Sequence, residues 1–169
     1  MGNFRLTQND DILEIMTIID GGKAYLKSQN VNQWQNGVPN EGMIVEDVKA
    51  GYGYVMENIH NEIVATASLS FDGEPWYEDI QGGNWLSTGP FLVIHRMAVR
   101  EDVRGTTVAS DYLALVQQLA KSRGVNSIKI DTHPENIPMQ KLLEKNGYTY
   151  CGTVILGKEG VRYGYEKLF

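Results

Sequence analysis

From residue 91 to 148 the chain reads FLVIHRMAVREDVRGTTVASDYLALVQQLAKSRGVNSIKIDTHPENIPMQKLLEKNGY. This stretch does most to limit the fold. An apolar strand over 91–99 runs into a basic-glycine turn, Arg104-Gly105. Val108, Tyr112, Leu115, Val116 and Leu119 then fall at helical spacing. Ile128-Lys129-Ile130-Asp131 returns to strand, and Asn136 caps a helix that stops at Gly147. Strand–helix–strand in this order implies a right-handed crossover over 91–132 joining parallel strands. The turn at Arg104-Gly105 opens directly onto a helix N-terminus, whose unpaired N–H groups and positive dipole end suit a phosphate.

The flanks complete one mixed sheet. Phe4-Arg5-Leu6 reads as a short strand, and Ile12, Ile15, Met16 and Ile19 place a helix over 10–25, closed by Gly21-Gly22 or by a fraying end. QNVNQWQNGVPN is turn-rich and reads as a loop around Trp34, and Asn40 caps a second helix to about Lys49. Alternation over 52–56 and 63–71 predicts a β-hairpin. Residues 71–90 form a long acidic and aromatic loop, and 148–156 with 161–167 form a closing hairpin. The expected fold class is α/β, or α+β with a mixed sheet: a central sheet flanked by helices on both faces, in one domain over 1–169.

A net charge of −6 argues against nonspecific nucleic-acid binding, which needs Lys and Arg to neutralise phosphates. No apolar run approaches the roughly 18 residues of a membrane span. MGNFRLTQNDDILEI has acids where a secretion signal needs basic and then apolar residues, so the expected setting is cytoplasmic, without nucleic acid or membrane. Cys151 is the single cysteine, which excludes an internal disulfide. No His/Cys spacing reads as a metal site.

The element order and the Arg-Gly turn resemble the GNAT N-acetyltransferase superfamily over essentially the whole chain, most densely from Ile94 to Gly152. Arg104-Gly105-Thr106-Thr107-Val108-Ala109 is similar to that family's acetyl-CoA loop, Arg/Gln-x-x-Gly-x-Gly/Ala, with threonine at 107 where a glycine is usual. Met97-Ala98-Val99 is similar to its pantetheine-pairing strand end. Asn136 and Gly147-Tyr148 are similar to its Asn-x-x-Ala…Gly-Phe signature. The resemblance implies a GNAT-like acyl-CoA N-acyltransferase fold. It also implies acetyl-CoA as cosubstrate, with Arg104 to Ala109 on its pyrophosphate, Met97 to Val99 on pantetheine and Asn136 fixing the adjoining arm. Many relatives carry a tyrosine acid where this chain has Leu143. Pairing through late strands, common in the family, is compatible with a homodimer.

Acetyl transfer to an amine needs a base or water relay, worth about 10²–10⁴-fold. His95 is the first candidate: alternation places it with Met97 and Val99, against the plainer reading of a half-buried sheet histidine. His133, at a strand end where α/β crevices open, either relays protons or orients the Asn136 turn, paired with Asp131. Glu74, Trp76 and Tyr77 offer carboxylate and aromatic faces to a cationic amine, or form an ordinary solvated loop. Trp34 is either a substrate contact or a core plug. The leading expectation is direct transfer of acetyl to a primary amine of a small molecule or peptide N-terminus. Thr107 and Leu143 keep open a CoA-binding sensor without transfer, and an acetyltransferase acting on folded proteins is the third reading.

Overall fold

A computed structural model describes residues 2–169. The described elements are β1 (Phe4–Leu6), α1 (Ile12–Ser28), α2 (Glu41–Ala50), β2 (Gly53–Glu57), β3 (Ile63–Ser70) and β4 (Leu92–Val99). α3 (Val108–Ser122), β5 (Ser127–Thr132), α4 (Ile137–Lys145), β6 (Thr149–Ile155) and β7 (Val161–Leu168) follow. The strands form one seven-stranded sheet in the order β1-β2-β3-β4-β5-β7-β6. β4 and β5 are parallel, as the crossover requires, and β5–β7 and β6–β7 are antiparallel. The chain resolves into two compact units, Met1–Leu69 with Arg96–Leu115, and Ser70–His95 with Val116–Phe169.

In the first unit, the stripe Ile12, Ile15, Ile18 and Ile19 of α1 packs with Ile44 of α2 on Val55, Ile63 and Ala98. Tyr54, next to Val55, points to the other face. Its carbonyl accepts a hydrogen bond from the hydroxyl of Tyr112 in α3 at 2.9 Å. Adjacent strand residues face opposite ways, so helices cover both faces here. Arg5 ties the first elements together: its guanidinium donates to Glu57 of β2 and to Asp11, just before α1, at 2.6–3.1 Å. That contact holds the Asp11 carboxyl below the usual range.

Of the two ends the sequence left open, α1 does not use Gly21-Gly22 but continues past Tyr25 to Ser28. The two glycines sit within the helix because side chains from elsewhere occupy their surface. A Cβ on Gly22 would lie 3.1 Å from the ring of Trp34, and one on Gly21 would lie 3.6 Å from Arg104. The packing against the sheet outweighs a glycine cost of roughly 1 kcal/mol each.

In the second unit the loop before β4 is laid down on the C-terminal hairpin. Tyr77, Val93 and Val154 form its core, with Ile80, Trp85, Phe91 and Leu156 packed around them. Gln81 bridges to Thr153, and the Trp85 indole donates to the Tyr77 carbonyl at 2.7 Å. Beneath lies Glu166 of β7, 0% exposed. Its carboxylate accepts from the Leu86 N–H at 2.5 Å, the Ser127 hydroxyl at 2.7 Å and the Ser87 hydroxyl. Lys129 stands opposite it in the β5–β7 register.

Gly83 and Gly89 separate close packing from loop freedom. A Cβ on Gly83 would fall 2.0 Å from the carbonyl oxygen of Cys151, whereas one on Gly89 meets nothing within 4 Å. Gly83→Ala is expected to cost about 1–3 kcal/mol. Gly89→Ala is expected to leave stability unchanged or raise it by up to about 1 kcal/mol. Urea unfolding of the two variants measures the difference.

Candidate functional site

β4 carries His95, the base candidate expected from the sequence, in the second unit. His95 Nε2 lies 2.9 Å from Glu74 Oε2, and the two side chains are 21% and 15% exposed. Glu74 is itself fixed, because its Oε1 accepts the N–H of Trp76 at 3.2 Å and opens the 3-10 turn Pro75–Tyr77. A carboxylate bound to an imidazole N–H orients the ring and fixes which nitrogen carries the proton. Of the residues expected to contact an amine, Glu74 is thus joined to the base candidate. Trp76 remains half-exposed, packed against the turn at Gly157.

Tyr77 is not a contact surface. It is 2% exposed, and its hydroxyl donates to Asp131 Oδ2 at 2.6 Å. Burial and the facing carboxylate push the phenol well above its ordinary range. Burial also raises the Asp131 carboxyl, opposed by the Tyr77 hydrogen bond and the nearby charges of His95 and Arg162. The Asp131–His133 pair expected from sequence therefore does not form: Asp131 is taken by Tyr77.

His133 has a local task. Its Nδ1 accepts the backbone N–H of Glu135 at 3.0 Å, which shapes the turn into α4. Asn136 then caps that helix, its side chain accepting the Met139 N–H at 3.2 Å. Burial, then Arg162, lowers the His133 pKa from its ordinary 6.5. Leu143 is fully buried in α4, so that position belongs to the core.

In the first unit the candidate phosphate turn has mixed features. Gly105 has φ 79° with open space where a side chain would stand, which lets a ligand approach the backbone. The Arg104 guanidinium lies 4.6 Å above the Tyr25 ring, and its Nη2 is buried without a hydrogen-bond partner. The Thr106 hydroxyl accepts the Val108 N–H at 3.3 Å, while that of Thr107 donates to Asp111 Oδ2 at 2.9 Å. Ala109 follows on α3. The backbone at Gly105, the unsatisfied Nη2 and the start of α3 fit a pyrophosphate; the Asp111 carboxylate in the first turn opposes one.

Met97 and Ala98 are buried, and the Ala98 side chain belongs to the α1–α2 core. Arg96, between His95 and Met97, has φ 54°, so strict alternation does not run through this point. Asp47 holds it there, accepting from Nε at 3.1 Å and Nη2 at 2.6 Å. Trp34 is half-buried against the first unit's core, which is the plug reading. Cys151 is buried and its thiol is pushed up by burial and by Glu166. Among the described residues no group of three His, Cys, Asp or Glu could hold a metal ion, and no helix is long and apolar enough to cross a membrane.

The fold is that of an acyltransferase class. The acetyltransferase (GNAT) family model matches residues 23–148, and the chain belongs to that family. It is similar over 99% of its length to 95% of a GNAT-family acetyltransferase from Streptococcus agalactiae, at 32% identity and a TM-score of 0.90. A GNAT-family acetyltransferase from Listeria monocytogenes shares the fold at 18% identity and a TM-score of 0.77, over 99% of this chain and 95% of that one. A chain of the NatB acetyltransferase complex bound to CoA shares the fold at 13% identity and a TM-score of 0.68, over 99% of each chain. No curated protein matches the chain.

The half-buried turn histidine, His133, has a pH consequence. An unfolded chain binds this proton first as pH falls past about 6.5, while the folded chain resists it, so stability rises with pH through this window. The contribution is complete above about 6.5 and is lost below it. His133→Asn keeps an acceptor for the Glu135 N–H and is expected to flatten that part of the stability–pH curve, followed by urea unfolding at stepped pH.

Proposed function

We propose that the chain is an acetyl-CoA-dependent N-acetyltransferase that moves acetyl directly to a primary amine of a small molecule or a peptide N-terminus. The family assignment supports acyl transfer. The observation that carries the reading further is the half-buried imidazole of His95 bound to Glu74, a positioned base in a chain of this family. Acetyl-CoA supplies a thioester carbon open to attack by nitrogen. The residues that would hold it are Arg104 to Ala109 at the pyrophosphate, with the Met97–Val99 backbone along pantetheine and Asn136 at the adjoining arm.

The chain's own part is proton handling. His95 takes a proton from the incoming ammonium, directly or through water, and frees the nitrogen lone pair for the carbonyl carbon. The C–N bond forms and the C–S bond breaks; the second proton that the nitrogen sheds on becoming an amide passes to water, and the leaving thiolate takes its proton from water, since Leu143 is a core residue. The half-exposed Trp76 offers an aromatic face to a cationic amine, while Glu74 is committed to His95.

One observation favours a second reading, a CoA-binding module without transfer: the Thr107 hydroxyl is committed to Asp111, which brings a carboxylate to the start of α3. Calorimetric titration separates the two. Acetyl-CoA is expected to bind more tightly than CoA, and Arg104→Ala is expected to weaken both at least about tenfold, the loss of one charged hydrogen bond. Equal binding of the two ligands favours the module, and an unchanged affinity in Arg104→Ala removes Arg104 from the cofactor site.

A further inference from the structure

The two nitrogens of His95 are not equivalent. Nε2 faces Glu74 Oε2 at 2.9 Å, and no partner for Nδ1 occurs among the described residues. Glu74 is held from its other oxygen by the Trp76 N–H, so the carboxylate presents one fixed acceptor to the ring. An ionised carboxylate only accepts, which requires the shared proton to sit on Nε2. The remaining charged and titratable groups around the ring are spoken for. Tyr77, its ring centroid 6.3 Å from that of His95, donates its hydroxyl to Asp131. Asp131 lies close enough to His95 and Arg162 for their charges to act on it. Neither tyrosine nor aspartate competes for Nδ1 through a hydrogen bond.

We infer that Glu74 is a positioning residue that fixes His95 as the Nε2–H tautomer, leaving Nδ1 as the nitrogen that accepts the proton of the substrate amine. This rests on the acetyltransferase reading and assigns the base to one atom. In the step, the proton leaves the ammonium nitrogen for Nδ1, and Nε2 keeps its own proton on Glu74. The imidazolium so formed is stabilised across 2.9 Å by the Glu74 carboxylate. When the ring returns its proton to solvent from Nδ1, the Nε2–H···Oε2 bond is unchanged and the cycle repeats.

Long-range proton–nitrogen NMR on the free protein tests the assignment without cosubstrate. With His95 neutral, Nε2 is expected to carry a protected, hydrogen-bonded proton while Nδ1 gives the signal of an unprotonated nitrogen. In Glu74→Ala the protected proton is expected to vanish, and in Glu74→Asp to return in part. A neutral ring protonated on Nδ1, or the same protected Nε2 proton in Glu74→Ala, overturns the proposal.

Turnover supplies the second arm. Glu74→Ala is expected to lower kcat about 10–100-fold with the amine KM changed far less, and Glu74→Asp to recover part of the loss. Unchanged kcat in Glu74→Ala also overturns it. If no amine is turned over while the NMR pattern holds, the acetyltransferase reading fails and the tautomer assignment stands.

Discussion

The second unit is organised around a carboxylate that water does not reach. Glu166 would be costly to bury alone, since an unpaired buried charge costs several kcal/mol. It is offset by three donors, the Leu86 N–H and the hydroxyls of Ser87 and Ser127, and by Lys129 across the β5–β7 ladder. Lys129 in turn lies 4.0 Å from the Phe91 ring centre and 4.5 Å from that of Trp85. Two of those donors and both rings come from the segment before β4. One buried charge thus anchors the loop that delivers Glu74 and Tyr77, and a polar residue inside the sheet decides where catalytic candidates stand.

The same segment shows how two carboxylates are given different roles by their partners. Glu74, near the surface, meets an imidazole and can share its charge. Asp131 meets a phenol that burial keeps protonated, and its own carboxyl is raised by the same burial. The first arrangement is the one on which the proposed proton transfer from an amine rests. The second holds the Tyr77 ring in the core beneath it.

What the sequence revealed depended on how far apart the partners lie. The cap at Asn136 was legible because a cap is a local geometry, with the side chain and the Met139 N–H three residues apart. The order of strands and helices followed from periodicity for the same reason. Gly21 and Gly22 read as one of two candidate helix ends because the side chains that explain them, Arg104 and Trp34, arrive from distant segments. Glu74–His95 spans 21 residues and Tyr77–Asp131 spans 54, and neither pairing leaves a local pattern. His95 was singled out as a candidate from its residue type and strand position; its pairing with Glu74 was not foreseen. His133 was seen as one of two alternatives, and the hydrogen bond from Glu135 gives it the turn.

Incubation of the purified protein with acetyl-CoA and a panel of small primary amines and short peptides, read by mass spectrometry, tests the central claim most directly. The account predicts at least one cationic amine made heavier by one acetyl group, with free CoA released in equal amount and the product abolished in His95→Ala. Contradiction would be CoA binding with no acetylated product across the panel, or a product formed as fast by His95→Ala as by the unaltered chain.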